Sequence, residues 1–294
     1  MLRIILFLGT NLAIMLVLGV VASIFGIDKW AYYHAGVNLQ QMLIFCAVFG
    51  MGGAFISLAL SKWLAKMSVG AQVIAEPRNE SEQWLFNTIR THAQKAQIGM
   101  PDIAIYDAPD MNAFATGMSK NHALVAVSTG LLRSMNRDQV AAVLGHEITH
   151  VANGDMVTLA LIQGVLNTFV MFLARIIGGM IDGAMSGDRN DNRGGGIGYF
   201  VIVMILQVVL GVLATIIVMW FSRWREFRAD AGGAKLGGRQ NMISALQALA
   251  GNHDSTLPKA VQAFGINGEH GVARLFMSHP PIEERIAALR NNAQ

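Results

Sequence analysis

Four stretches of this chain, Ile4–Ile27, Met42–Ser61, Met156–Ala174 and Gly194–Ser222, contain no Asp, Glu, Lys or Arg. Each approaches or exceeds the roughly 20 mostly apolar residues that a helix needs to cross a bilayer. A backbone in hydrocarbon must satisfy its own hydrogen bonds, so stretches of this kind can only be helices. The rest of the composition agrees: 53% of residues are hydrophobic and 14% charged, against about 25% charged in soluble proteins. Disorder is excluded by the same figures. The net charge is only +3, although the pI is near 9.2, so no broad basic field exists to hold a nucleic-acid backbone. The single cysteine, Cys46, cannot close an intramolecular disulfide and lies in an apolar run away from histidines.

The first stretch exceeds the roughly 7–15 apolar residues of a signal peptide and reads as an anchor. The third contains Gln163 and Asn167 and is followed by Arg175 and a further apolar patch, Ile176–Ile181, as in a tilted or cavity-lining helix. These two amides read first as partners for interhelical hydrogen bonds. Flanking cations give the orientation. Arg3, Lys62, Lys66, Arg223, Arg225 and Arg228 fall on one side, against Lys29, Arg175, Arg189 and Arg193 on the other, which favours both termini in the cytosol. The expected organisation is a transmembrane hairpin over 1–61 (spans 4–27 and 42–61) and a cytosolic block over 62–155. A second hairpin follows over 156–222 (spans 156–174 and 197–221, external loop 182–196), then a cytosolic block over 223–294.

In the first cytosolic block, residues 81–97 read as a helix with caps at Asn79 or Ser81. Ile103–Tyr106 and Leu124–Val127 read as two strands of a small sheet. Asn136 and Gln139 resemble a capping box, and the helix Arg137–Asn153 meets no breaker before the next span. The C-terminal block shows helical patterns at Phe227–Leu236, Asn241–Leu249 and Ile282–Leu289.

Within Arg137–Asn153 the chain reads His146-Glu147-Ile148-Thr149-His150. Histidines four apart share a helix face and can reach one ion. Glu147 is offset by about 100° around the axis, beside the open coordination position rather than in it. Zinc would lower the pKa of water toward ~7, and Glu147 is placed to accept its proton. A catalytic zinc needs a third protein ligand. Asn153 and Met156 stand where a metzincin requires Gly and His, which excludes that class. Glu226 is the best candidate, because Asp230 one turn later can hold a histidine N–H. The rivals are Asp155, His253, His270 and His279. A hairpin of the third and fourth spans returns Glu226 to the membrane face that His146 and His150 occupy.

Two spans, His-Glu-x-x-His, two spans, then Glu-x-x-x-Asp: this order resembles the HtpX family of bacterial membrane zinc endopeptidases, in the same broader group as the eukaryotic prenyl-protein proteases. Asn112-Ala113-Phe114 and Ser278-His279-Pro280-Pro281 extend the resemblance over essentially the whole chain. It implies a mainly α integral membrane protein with four transmembrane helices and an α+β gluzincin-like cytosolic domain. It further implies one Zn2+ per chain on His146, His150 and Glu226, Glu147 as general base, Asp230 behind the ligands, and His279 and Arg285 near the active site. Asn112 and Ala113 are candidates for a substrate-facing strand edge, where an extended peptide adds by main-chain hydrogen bonds. His279 or Arg285 could give the developing oxyanion a second contact. The implied setting is the bacterial inner membrane, with misfolded membrane proteins cleaved at the cytosolic face under stress and with quality-control proteins and the lipid bilayer as partners. Two other classes compete: a transporter or channel with an incidental His-Glu-x-x-His, whose charged or Gly/Pro-broken midspan residues in paired positions are scarce here, and a zinc-binding membrane scaffold without turnover, which would keep the same ligands.

Overall fold

The computed structural model describes residues 38–186, 196–251 and 272–291, together with residue 24. The expected span 4–27 lies outside the described residues apart from Ile24, and the rival ligands His253 and His270 lie outside them altogether. The chain divides into two compact units, one of residues 1–56 and 160–218, the other of residues 57–159 and 219–294.

Three described helices are long and apolar enough to cross a membrane: α1 (Leu39–Val69), α5 (Asp155–Ser186) and α6 (Ile197–Gly237). They contain the second and third apolar stretches and the fourth from Ile197 on, and each runs beyond the C-terminal end of its stretch. Residues 182–186 of the expected loop 182–196 are helical, because α5 continues through Asp182 to Ser186, and residues 187–195 lie outside the described residues. Helix propagation costs little once a long helix exists, and Met185 keeps the pattern apolar.

In the first unit, Leu39, Leu43, Cys46 and Phe172 form a buried cluster. Gly50 lies so close to α5 that a Cβ there would stand 2.6 Å from the backbone nitrogen of Thr168, the close packing small residues allow between membrane helices. Gln163 and Asn167 pair with each other one turn apart, Nε2 donating to Oδ1 at 3.0 Å. Among the described residues the hydrogen bond of this pair is intrahelical, where an interhelical one was expected. Large side chains such as Met204 and Val208 face outward, as a hydrocarbon solvent demands.

The second unit is built on a four-stranded mixed sheet, β1 (Gln72–Val73), β2 (Asp102–Tyr106), β3 (Ala113–Ser119) and β4 (His122–Ser128), in the order β1-β2-β4-β3. β2 and β4, the two strands read from sequence, pair in parallel from Asp102↔Leu124 to Tyr106↔Ser128. β3 joins β4 antiparallel as an edge strand. Its small residues, and an irregular register between Gly117 and Ser119, hide the period-two pattern. Helices α2 (Glu80–Lys95), α3 (Thr129–Ser134), α4 (Arg137–Asn153), α7 (Arg239–Gly251) and α8 (Ile282–Asn291) complete the unit.

Asn136 caps α4 in a full capping box with Gln139. Leu85 and Ile89 of α2, Val125 and Val127 of β4, and Leu144 and Ile148 of α4 meet in one buried core. Burial of each such side chain stabilises by roughly 1.5–3 kcal/mol. The core thereby fixes α4, which carries the histidines, against sheet and helix.

Candidate metal centre and cleft

Leu144 and Ile148 face the core, so the histidines between and beyond them on α4 project toward α6. α4 stops at Gly154, whose φ of 65° and ψ of 35° place it in the left-handed region and whose N–H reaches back to His150 and Val151 carbonyls. Gly tolerates that conformation at no steric cost. The helix therefore does not run on into the span, contrary to the reading from sequence. α5 begins afresh at Asp155, and the turn swings the Asp155 carboxylate back onto His150, with Oδ2 2.7 Å from Nδ1.

α6 approaches α4 across small residues. A Cβ on Gly237 would stand 2.6 Å from Cα of Ala142, and one on Gly232 would overlap the Thr149 side chain. Gly145 of α4 faces the same seam, against Leu236 and Gly233. This close approach brings in Glu226, nearly fully buried. Its Oε2 lies 3.5 Å from His146 Nε2 and its Oε1 3.3 Å from His150 Nε2, while the two imidazole nitrogens are 3.1 Å apart. Donors about 2.0–2.1 Å from a tetrahedral zinc stand roughly 3.3 Å from one another. The three side chains thus match three corners of such a site, and their ligand atoms all fall within 4.8 Å of one another.

A second ring of groups surrounds the three. Asp230 Oδ1 lies 3.0 Å from His146 Nδ1, off the N–H direction. Arg285, buried on α8, grips Asp230 through two hydrogen bonds, Nε to Oδ2 at 2.7 Å and Nη2 to Oδ1 at 2.6 Å. His279 places Nδ1 2.8 Å from Glu226 Oε2. Burial disfavours the charged form of His146, but Asp230 and Glu226 outweigh it and push the imidazole up to about 9. His150 is raised in the same way, burial being overcome by Asp155 and Glu226. Burial alone would raise Glu226, yet hydrogen bonds with His146, His150 and His279 hold its carboxyl well below the usual range. This carboxylate stays ionised, the form that binds metal.

Glu147 is half-buried. Together with His146, Glu226, His279 and Arg285 it lines a cavity of ≈ 960 Å³, whose other walls include Leu131, Val143, Met242 and Leu246. Asn112 and Ala113, at the start of edge strand β3, line the same cavity. The structure therefore brings together His146, Glu147, His150, Glu226, Asp230, His279, Arg285, Asn112 and Ala113, while the rivals His253 and His270 lie outside the described residues. It sorts two of the rivals differently: Asp155 meets the far nitrogen of His150, and His279 meets Glu226. Sequence reasoning missed the part of Asp155, for which the signal was Gly154, a helix-stopping residue placed to fold the next side chain back. It also missed the Gly232, Gly233 and Gly237 seam, legible as small residues on one face of a helix.

Residues 79–293 match the family model described as Peptidase family M48. The chain is 59% identical over 291 residues to Protease HtpX of Xanthomonas euvesicatoria pv. vesicatoria (strain 85-10), covering 98% of this chain and 97% of that protein. It is 58% identical, with the same coverage, to Protease HtpX of Xanthomonas campestris pv. campestris (strain B100). Among solved structures, the crystal structure of S. mikatae Ste24p is similar with a TM-score of 0.59 at 19% identity, covering 97% of this chain and 67% of that one, a likeness of fold. Three apolar helices, a converging His-His-Glu cluster and these relatives agree: the chain belongs to peptidase family M48, and within it to the HtpX family of membrane metalloproteases.

Proposed function

We propose that this protein is a zinc endopeptidase of the bacterial inner membrane, one Zn2+ per chain, that cleaves misfolded or unfolded membrane proteins at the cytosolic face as part of stress-responsive quality control. The observation that carries the chemistry is the convergence of His146, His150 and Glu226 on one wall of a cleft that also holds Glu147. Two imidazoles and a carboxylate suit zinc and leave a fourth position for water, as catalytic sites require. Zinc held there supplies Lewis acidity toward water and a peptide carbonyl.

The chain's own residues supply the rest. Glu147 takes the proton from the attacking water and passes it to the leaving nitrogen. Asp155 and Asp230 orient the two imidazoles from behind, and Arg285 fixes Asp230 in turn. His279 steadies Glu226 through Nδ1, and only as the imidazolium would it carry a second N–H, on Nε2, to offer a substrate oxyanion. Asn112 and Ala113 open an edge strand to which an extended peptide can add. The charge bias of the span flanks supports cytosolic termini and a cytosolic site.

Glu147→Gln tests the assignment. Turnover of an unfolded membrane protein in proteoliposomes should be lost while zinc content, measured on the same preparation, stays at one per chain. Retained turnover, or loss of most zinc, would show that Glu147 does not play this part. A scaffold without turnover predicts no cleavage by the parent protein.

A further inference from the structure

Just before Ser278 and the cleft's His279 stand three large apolar residues, Leu275, Phe276 and Met277, that are 41%, 42% and 43% exposed, Phe276 and Met277 at the rim lining the cleft. Leu275 and Phe276 end a short 3-10 turn, Val272–Phe276, which Met277 follows, and the Arg223 side chain clasps this backbone. Arg223 Nη1 donates to the carbonyls of Arg274 at 2.9 Å, Leu275 at 3.2 Å and Met277 at 2.8 Å. Arg223 is the first charged residue after the apolar stretch that ends at Ser222. The clasp therefore fixes the height of the apolar turn at the end of a membrane span, within the reach of one guanidinium.

The surroundings have the composition of a bilayer interface. Trp220 and Trp224, on the same turns of α6, are largely exposed, and Arg225 and Arg228 follow directly. Aromatic rings and cations in that arrangement occupy the headgroup zone, which adds roughly 5–7 Å on each side of the hydrocarbon core. At the end of α1 the pattern recurs. Lys62, the first charge after its apolar stretch, binds Asp102 of β2 at 2.7 Å, beside exposed Trp63, Leu64 and Met67.

We infer that the Leu275–Met277 turn inserts into the lipid headgroup region as a membrane-seated lip of the cleft. Lipid is the occupant because the clasp sets the turn at span-end depth, next to an exposed aromatic and basic belt. Three adjoining apolar side chains in water at that position would otherwise form an unfavourable patch. Met277 leads through Ser278 to His279, which touches Glu226. One edge of the cleft thus lies at the membrane surface, and a chain emerging from the bilayer meets the site directly. This extends the proposed function to the route of substrate entry and rests on it only for the identity of the cleft.

Depth-dependent quenching tests it without any reference to turnover. An environment-sensitive NBD label is attached at Phe276→Cys or, separately, Leu275→Cys in a Cys46→Ser background, with Lys120→Cys in the β3–β4 turn as reference. Each protein is reconstituted in phosphatidylcholine and phosphatidylglycerol vesicles with or without lipid spin labels near the headgroup. The labels at 275 and 276 should emit at shorter wavelength than that at 120 and lose most of their intensity to the lipid quencher, while position 120 is unaffected. If 275 and 276 behave like 120, the turn is in water and the inference is overturned. Shielding from an aqueous quencher without sensitivity to lipid spin labels would place protein there instead, and would equally overturn it.

Discussion

Asp155 reaches His150 across a helix boundary, its Oδ2 2.7 Å from the imidazole Nδ1. The contact exists because α4 ends in the left-handed turn at Gly154, and the first residue of the next helix folds back. It sets the tautomer that leaves the Nε2 lone pair free for a metal shared with His146 and Glu226. Asp155→Asn should therefore lower metal affinity or activity by roughly 10–100-fold, in the same range as Asp230→Asn and without abolishing either. Zinc titration against a chelator of known affinity measures both. An unchanged affinity for Asp155→Asn would deny the residue its orienting part.

Glu226 touches both imidazoles, so Glu226→Ala should cost far more zinc retention than Asp230→Asn or His279→Ala. The ordering is the prediction. Metal analysis after dialysis checks it. If zinc survives Glu226→Ala and is lost instead in His253→Ala or His270→Ala, the third ligand lies elsewhere.

A methyl group at Gly232 has no room beside Thr149. Gly232→Ala should push α6 from α4, destabilise the fold by about 1–3 kcal/mol and weaken zinc binding with it. Gly211→Ala on the same helix meets nothing within 4 Å, and serves as the control. Thermal unfolding in detergent reads the difference. Equal melting temperatures for the two variants would mean the seam is looser than it looks.

Glu226 stands four residues past Ser222 on a continuous helix, about 6 Å along the axis. A substrate tethered to the membrane would then meet the site at high effective concentration. One cleavable segment fused to a transmembrane anchor should be cut faster than the same segment left soluble, and the rate should fall as the spacer grows. Equal rates would reject membrane proteins as the preferred class even with the zinc chemistry intact.

Orientation can be checked separately. In a Cys46→Ser background, single cysteines at positions 190 and 270 should label from opposite sides of the membrane. Labelling from the same side would break the hairpin that joins the two halves of the site.

The features the sequence determined alone are those that depend on neighbours in the chain. Charge-free length set the apolar helices α1, α5 and α6, because hydrocarbon admits almost no other backbone. The i, i+4 spacing of His146 and His150 set a metal-binding face, because helix geometry does not depend on the rest of the fold. The capping box at Asn136 and Gln139 started α4 where it was expected.

Tertiary structure decided what joins residues far apart. Asp155 stood among the rival ligands, and only the Gly154 turn made it a partner of His150. Arg285 gave no sign of its hold on Asp230, 55 positions away in the chain, nor His279 of its contact with Glu226. Edge strand β3 is a strand only because β4 lies beside it. The glycine seam acquires its meaning only from the helix packed against it. A side chain's local preference is carried by its own backbone, but its partner is chosen by the packing of distant elements, and no short-range pattern records that choice.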